Sequence, residues 1–192
     1  MMSEGLLLTP SQTVGPFFGF ALPYARGETL VAQDTRGERI AIHGIVRDGD
    51  GFGIDDALIE IWQANAAGRY AHADDDRSEI ALDPAFIGFG RCPTDLEGRY
   101  RFTTIRPGRV PGPDGAAQAP HVAVSVLARG LLKRLATRLY FGDEAANDDD
   151  AILAMVDPAR RSTLIARREG AEPLYRFDIV LQGDGETVFF AY

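Results

Sequence analysis

Between Ile105 and Pro120 the sequence carries Pro107, Pro111, Pro113 and Pro120, interleaved with Gly108, Gly112 and Gly115. Proline lacks an amide N–H and fixes φ, so no regular strand pairing can run through this stretch. Directly after it the pattern reverses. Val122, Val124, Val126 and Ala128 fall on one face of a strand, small and apolar, suited to a buried sheet surface. His121, Ala123, Ser125 and Leu127 share the other face. A Pro/Gly-rich loop that feeds a buried strand predicts a β architecture with irregular connections. It also sets His121 at the strand mouth, where a histidine either helps to build a site or is a hydrogen-bonded group at a sheet end.

The same alternation recurs along the chain. Residues 38–47 predict a strand with Ile40, Ile42 and Val46 on one face and Gly44 as a bulge, turned by Asp48-Gly49-Asp50-Gly51. His43 lies on the opposite face without a partner at ligand spacing and reads as structural or solvent-facing. Residues 57–64, ALIEIWQA, are apolar on both faces except Glu60 and Gln63, which marks a central strand with Trp62 as a core side chain. The acidic run from Asp74 reads as a solvated loop, and residues 83–93, with Pro84, Gly88, Gly90 and Pro93, as an irregular surface loop. Further strands are expected at 98–105, 136–141, 175–181 and 186–190. Asp148, Asp149 and Asp150 before AILAMV suit a helix start, Asp157-Pro158 ends it, and a second short helix is expected through Ala166. The fold class is therefore all-β: a two-sheet β-sandwich with irregular loops and one or two short helices near 147–167.

Residues 1–36 stand apart as an extended N-terminal arm of a single domain, 1–192. Within the arm, residues 9–24 hold three prolines and three phenylalanines without a helical or alternating period. A segment so apolar must lie against something. It either covers its own sheet or docks on another chain, and docking on a partner is the expectation.

At 192 residues and 45% apolar content the chain can bury roughly 70% of its unfolded surface, so its core needs no disulfide or structural metal. Cys92, the one cysteine, excludes an internal disulfide and suits a reducing cytoplasm. A net charge of −8 and the absence of a basic patch exclude the electrostatic footprint of a nucleic-acid binder. No signal-peptide pattern and no apolar run of the ~20 residues that a membrane span needs is present, so a soluble, cytoplasmic protein is expected.

Several of these strings resemble the intradiol ring-cleaving dioxygenases. In that family a PGxYPW loop supplies a tyrosine, and an HxH strand two histidines, to ferric iron. Here the loop reads PGRVPG, which sets Val110 at the tyrosine position. The strand reads His121-Val122-Ala123, so His121 matches the first histidine and Ala123 replaces the second; the family's arginine just before the pair falls on Gln118. IEIWQANAAGRY resembles the strand and loop that deliver the first tyrosine, with Tyr70 in its place. Agreement runs along nearly the whole chain, through TPSQTVGPFF, APHVAVSVLARGLL, TRLYFGDEA, RRSTLIARR and YRFDIVLQGDGETVFF.

The resemblance implies the same β-sandwich. It also implies an iron site of two tyrosinates, two histidines and a hydroxide, whose anionic oxygens favour the ferric state. Losing half the protein ligands reduces the free energy of metal binding directly, so no iron is expected in this chain. Tyr70 and His121 are left as vestigial ligand positions, lost at Val110 and Ala123. In the family an iron-bearing beta chain pairs with an alpha chain around an interfacial pocket. The resemblance then implies that Thr13, Gly15 and Pro16, the local TxGP, and Arg129, of the ARG turn, line a pocket for a catecholic acid and O2, with Fe(III) held by the beta subunit. Residue chemistry agrees: arginine stays charged and offers paired donors to a carboxylate, threonine brings a hydroxyl, and glycine allows close approach. Without the resemblance Arg129 reads as a surface arginine in a turn. Three hypotheses follow: an oxidoreductase subunit inactive by itself, a β-sandwich scaffold or binding module, and an active homo-oligomer with other ligands.

Overall fold

In the computed structural model, which describes residues 12–112 and 115–191, nine strands follow one another: β1 (Arg39–Arg47), β2 (Leu58–Trp62), β3 (Phe89–Pro93), β4 (Arg99–Ile105), β5 (His121–Leu127), β6 (Leu135–Phe141), β7 (Ile165–Arg168), β8 (Leu174–Arg176) and β9 (Ile179–Val180). Their ladders trace one path, β3-β2-β5-β6-β7-β8-β1-β4, with β9 also on β1. The expected sandwich is present as two halves joined along one side by short β7. Val122, Val124 and Val126 of β5 and Ile59 and Ile61 of β2 meet Ile40, Ile42, Tyr100 and Phe102 of β1 and β4 in a common core.

The opposite side is closed by the arm. Gly27 O accepts from Arg91 N of β3, while Thr103 of β4 donates to Glu28 O and accepts from Leu30 N. Residues 27–30 thus bridge the two free edges, which covers backbone groups that an open edge would expose. Residues 1–11 of the arm, and Pro113 of the long loop, lie outside the described residues.

Where the structure departs from expectation, close packing is the reason. Gly44 makes no bulge: β1 and β4 pair in unbroken register from Arg39↔Ile105 to Ile45↔Arg99. Glycine is required because a Cβ there would lie 1.8 Å from the Phe177 carbonyl oxygen. Residues 83–93 are not an irregular surface loop, since they contain β3 and the buried Phe86 and Asp83. Gly90 sits in that strand under Leu30, whose Cδ1 would be 2.3 Å from a Cβ. The C-terminal alternation divides at Phe177-Asp178: Phe177 N donates to His43 O, and Asp178 Oδ1 takes the Ile45 N–H in place of a backbone acceptor. Residues 186–190 form no strand; they meet the sheet through one bridge, Ala136↔Phe190, and through separate hydrogen bonds, Thr187 N to Val180 O and Thr137 Oγ1 to Val188 O.

Asp150 caps α2 (Ala151–Ala154) by accepting from Leu153 N, after a 3-10 turn at Ala145–Asp149. The second expected helix is only a 3-10 turn, Arg161–Leu164. Ala166 belongs to β7, because pairing of Phe141 with Ala166 draws the chain into the sheet. The arm contributes a turn of helix that its aperiodic sequence did not predict, α1 (Phe18–Ala21). Among the described residues no helix is long and apolar enough to cross a membrane.

Candidate functional site

The predicted site residues gather in two clefts, and among the described residues none lines both. The first has a volume of about 670 Å³ and is lined by Thr13, Gly15, Pro16 and Arg129, all four predicted from the TxGP and ARG strings. Arg129 and Gly130 follow β5 in a tight turn, and the φ of +88° at Gly130 is one that glycine adopts without strain. Thr13 Oγ1 donates to Leu131 O across 2.6 Å, which fastens the arm to that turn. Arg91 Nη1, donating to Leu22 O, holds the arm's other end. Phe18 is buried below, whereas Phe17 and Phe20 are 68% and 78% exposed. Asp55 and Asp56 form the acidic wall, with Arg129 Nε 3.1 Å from Asp56 Oδ2.

The second cleft, about 470 Å³, brings together Tyr70, Val110, Gln118 and His121. Tyr70 is delivered by the loop that leaves β2, and its backbone N–H is held by Asp75 Oδ2 at 2.8 Å. Arg77 in turn holds that carboxylate well down, at about 2. His121 is 5% exposed and its Nδ1 lies 2.8 Å from Ala119 O. A carbonyl only accepts, so Nδ1 carries the proton and the lone pair is on Nε2. Burial, with the nearby Arg138 charge, lowers the imidazole to about 4, so the ring is neutral. Burial raises the Tyr70 phenol, opposed by the charges of Arg138 and Arg77. Val110 is buried and offers only hydrocarbon. Ala123 is next on the His121 face of β5 but does not itself line the cleft.

Three neighbours, Trp62, His72 and Arg138, were not assigned to the site from sequence. Trp62 is not a core side chain: it is half-buried and stacks on Tyr70 with centroids 5.7 Å apart, while His72 meets its edge. Arg138 stands across the ladder from Ala123 and donates to Gln118 Oε1 at 2.6 Å. A lone arginine within the apolar β6 string was the available signal. His43, as expected, is structural, its Nε2 2.9 Å from Glu169 Oε2.

The second cleft does not fit the iron that the resemblance implies. Of the four implied ligand positions it keeps only the Tyr70 phenol and the His121 imidazole, and although His72 and Asp74, Asp75 and Asp76 also line it, no group of three or more His, Cys, Asp or Glu among the described residues is placed to hold a metal. Hydrocarbon at Val110 and Ala123, where the resemblance sets a phenolate and an imidazole, is the reason.

Comparison with known proteins agrees with the motifs. A family model described as "Dioxygenase" matches residues 13–183. The chain is 41% identical to the protocatechuate 3,4-dioxygenase alpha chain of Burkholderia cepacia, over 95% of this chain and 96% of that one. It is 43% identical to the beta chain from the same organism, over 79% of this chain and 67% of that one. Among solved structures, the dioxygenase domain of a dioxygenase–carbohydrate-binding fusion from Streptomyces sp. SirexAA-E superposes with a TM-score of 0.62 at 29% identity, covering 91% of this chain and 98% of that one.

Proposed function

This chain belongs to the intradiol dioxygenase family, and from that premise we propose that it is the alpha chain of a protocatechuate 3,4-dioxygenase. It completes the substrate pocket of an iron-bearing beta chain, in a cytoplasmic hetero-oligomer that cleaves 3,4-dihydroxybenzoate with O2 to 3-carboxy-cis,cis-muconate. Likeness over nearly full length to an alpha chain, and over a shorter span to a beta chain, supports that pairing. The observation that carries the assignment is the convergence of Thr13, Gly15, Pro16 and Arg129 on one cleft beside exposed Phe17 and Phe20.

Fe(III), which the partner would hold, would supply activation of the bound catechol. The work of this chain is binding and orientation. Arg129 presents an exposed guanidinium whose donors not aimed at Asp56 can take a substrate carboxylate. Thr13 Oγ1, already donating to Leu131 O, keeps lone pairs to accept with. A Cβ at Gly15 would meet nothing within 4 Å, so its backbone is open to a ligand or partner. Phe17 and Phe20 form the apolar contact with the beta chain, since such side chains gathered on one surface segment mark an interface.

Purification of the chain with and without its partner tests the assignment. The complex is expected to hold iron, show ferric-tyrosinate colour and turn over, and the lone chain to do none of these. Iron and turnover in the lone chain would overturn it.

A further inference from the structure

We propose that Arg91, which lines neither cleft, is a positioning residue for the substrate pocket: it latches the far end of the helical turn that carries Gly15 and Pro16. This rests on the reading of the cleft of Thr13 and Arg129 as part of that pocket. Arg91 is on β3, directly across the ladder from Glu60 of β2. Its Nε and Nη2 both donate to Glu60 Oε1, at 2.8 and 2.5 Å, which fixes one edge of the fork. Nη1 is left for the arm and donates to Leu22 O at 2.6 Å. The guanidinium carbon also lies 5.4 Å from the Phe89 ring and 5.9 Å from the Tyr24 ring, so two aromatic side chains confine it.

From Gly15 to Leu22 the arm is one hydrogen-bonded unit. Phe18 N donates to Gly15 O, Ala21 N to Phe17 O, and Leu22 N to Phe18 O. The last carbonyls of a helix lack an internal donor, and at Leu22 the arginine supplies one. A unit this short moves as a body, so holding Leu22 holds Gly15 and Pro16 with it. Thr13, bonded to Leu131 O, anchors the near end. Of residues 12–21 Phe18 alone is buried, so side-chain packing supplies little else to fix the segment.

The test compares Glu60→Gln, as the reference, with Glu60→Gln/Arg91→Met. The reference keeps the arginine; the double variant removes both charges together, so no lone carboxylate is stranded, and deletes the donor to Leu22 O. Amide hydrogen exchange over residues 18–22 is read by mass spectrometry in the full-length free chain, with circular dichroism as the fold control. KM and kcat are read in the assembled enzyme, with the beta chain in saturating excess. Relative to the reference, exchange should quicken by about tenfold, the size of one lost charge-assisted hydrogen bond. KM for 3,4-dihydroxybenzoate should rise by about threefold or more while kcat stays within about twofold, because a loosened arm costs binding. Glu60→Gln/Arg91→Gln, whose amides can bond across the ladder but are too short to reach Leu22, replaces the methionine variant if that one does not fold. Unchanged exchange, or faster exchange with unchanged KM, overturns the inference alone when Arg129→Ala still raises KM. If neither the Arg91 nor the Arg129 substitution moves KM, the inference and the pocket reading fall together.

Discussion

The Nε of Arg129 lies 3.1 Å from Asp56 Oδ2, although the arginine side chain is 82% exposed. One carboxylate orients the side chain, and solvent, or a ligand, meets the rest of the guanidinium. An ion pair this exposed contributes little to stability, so the arrangement is better suited to recognition than to holding the fold.

Arg129→Ala in the assembled enzyme should therefore raise KM for 3,4-dihydroxybenzoate by about tenfold or more with a much smaller change in kcat, because a carboxylate contact made equally in ground and transition states affects binding alone. Arg129→Lys should recover part of the loss. Steady-state kinetics decide between a pocket-lining chain and a scaffold, for which KM would not move.

Stability should fall with acid through His121. In the unfolded chain its imidazole protonates at the ordinary 6.5, in the folded chain only at about 4, so between these values the unfolded state binds more protons and stability rises with pH. The contribution is fully present above 6.5 and is lost as pH falls to about 4, a swing on the order of 3 kcal/mol. Urea denaturation at several pH values should show this slope in the native protein and a flatter one in His121→Gln. Parallel profiles would refute it.

Gln63 has 0% exposure and donates through Nε2 to Ile105 O at 2.9 Å while its Oε1 accepts from Thr104 Oγ1 at 2.7 Å. Gln63→Leu strands both partners in the core and should cost about 2–4 kcal/mol. Thr104→Val leaves only Oε1 without that donor and should cost about 1–3 kcal/mol. Chemical denaturation measures both, and the double mutant should cost less than their sum, since the two side chains are coupled.

Gly44→Ala should destabilise by about 2–4 kcal/mol, because its Cβ would fall on the Phe177 carbonyl and separate β1 from the link between β8 and β9. Gly19→Ala, where a Cβ meets nothing within 4 Å, should change stability by no more than about 0.5 kcal/mol. Thermal melts of the two variants give the contrast.

Alternation by itself determined the strands whose two faces differ: β1, β4 and β5 lie where Ile40–Val46, Tyr100–Thr104 and Val122–Ala128 alternate, since burial of one face selects a period of two. The motif strings likewise named some members of each cleft, Thr13 with Arg129 in one and Tyr70 with His121 in the other. What only the tertiary structure decided are contacts between segments distant in the chain. Gly44 reads as a bulge until Phe177 is seen against it, and β3 reads as loop until Leu30 is found over Gly90. Trp62 reads as core until Tyr70 stacks on its outer face, and Arg138 is an unremarked arginine until the β5–β6 register sets it opposite Ala123. Periodicity reports which side of a segment is buried; it carries no record of which remote backbone or charge arrives there, and both the close packing at Gly44 and the charge of the second cleft depend on that arrival.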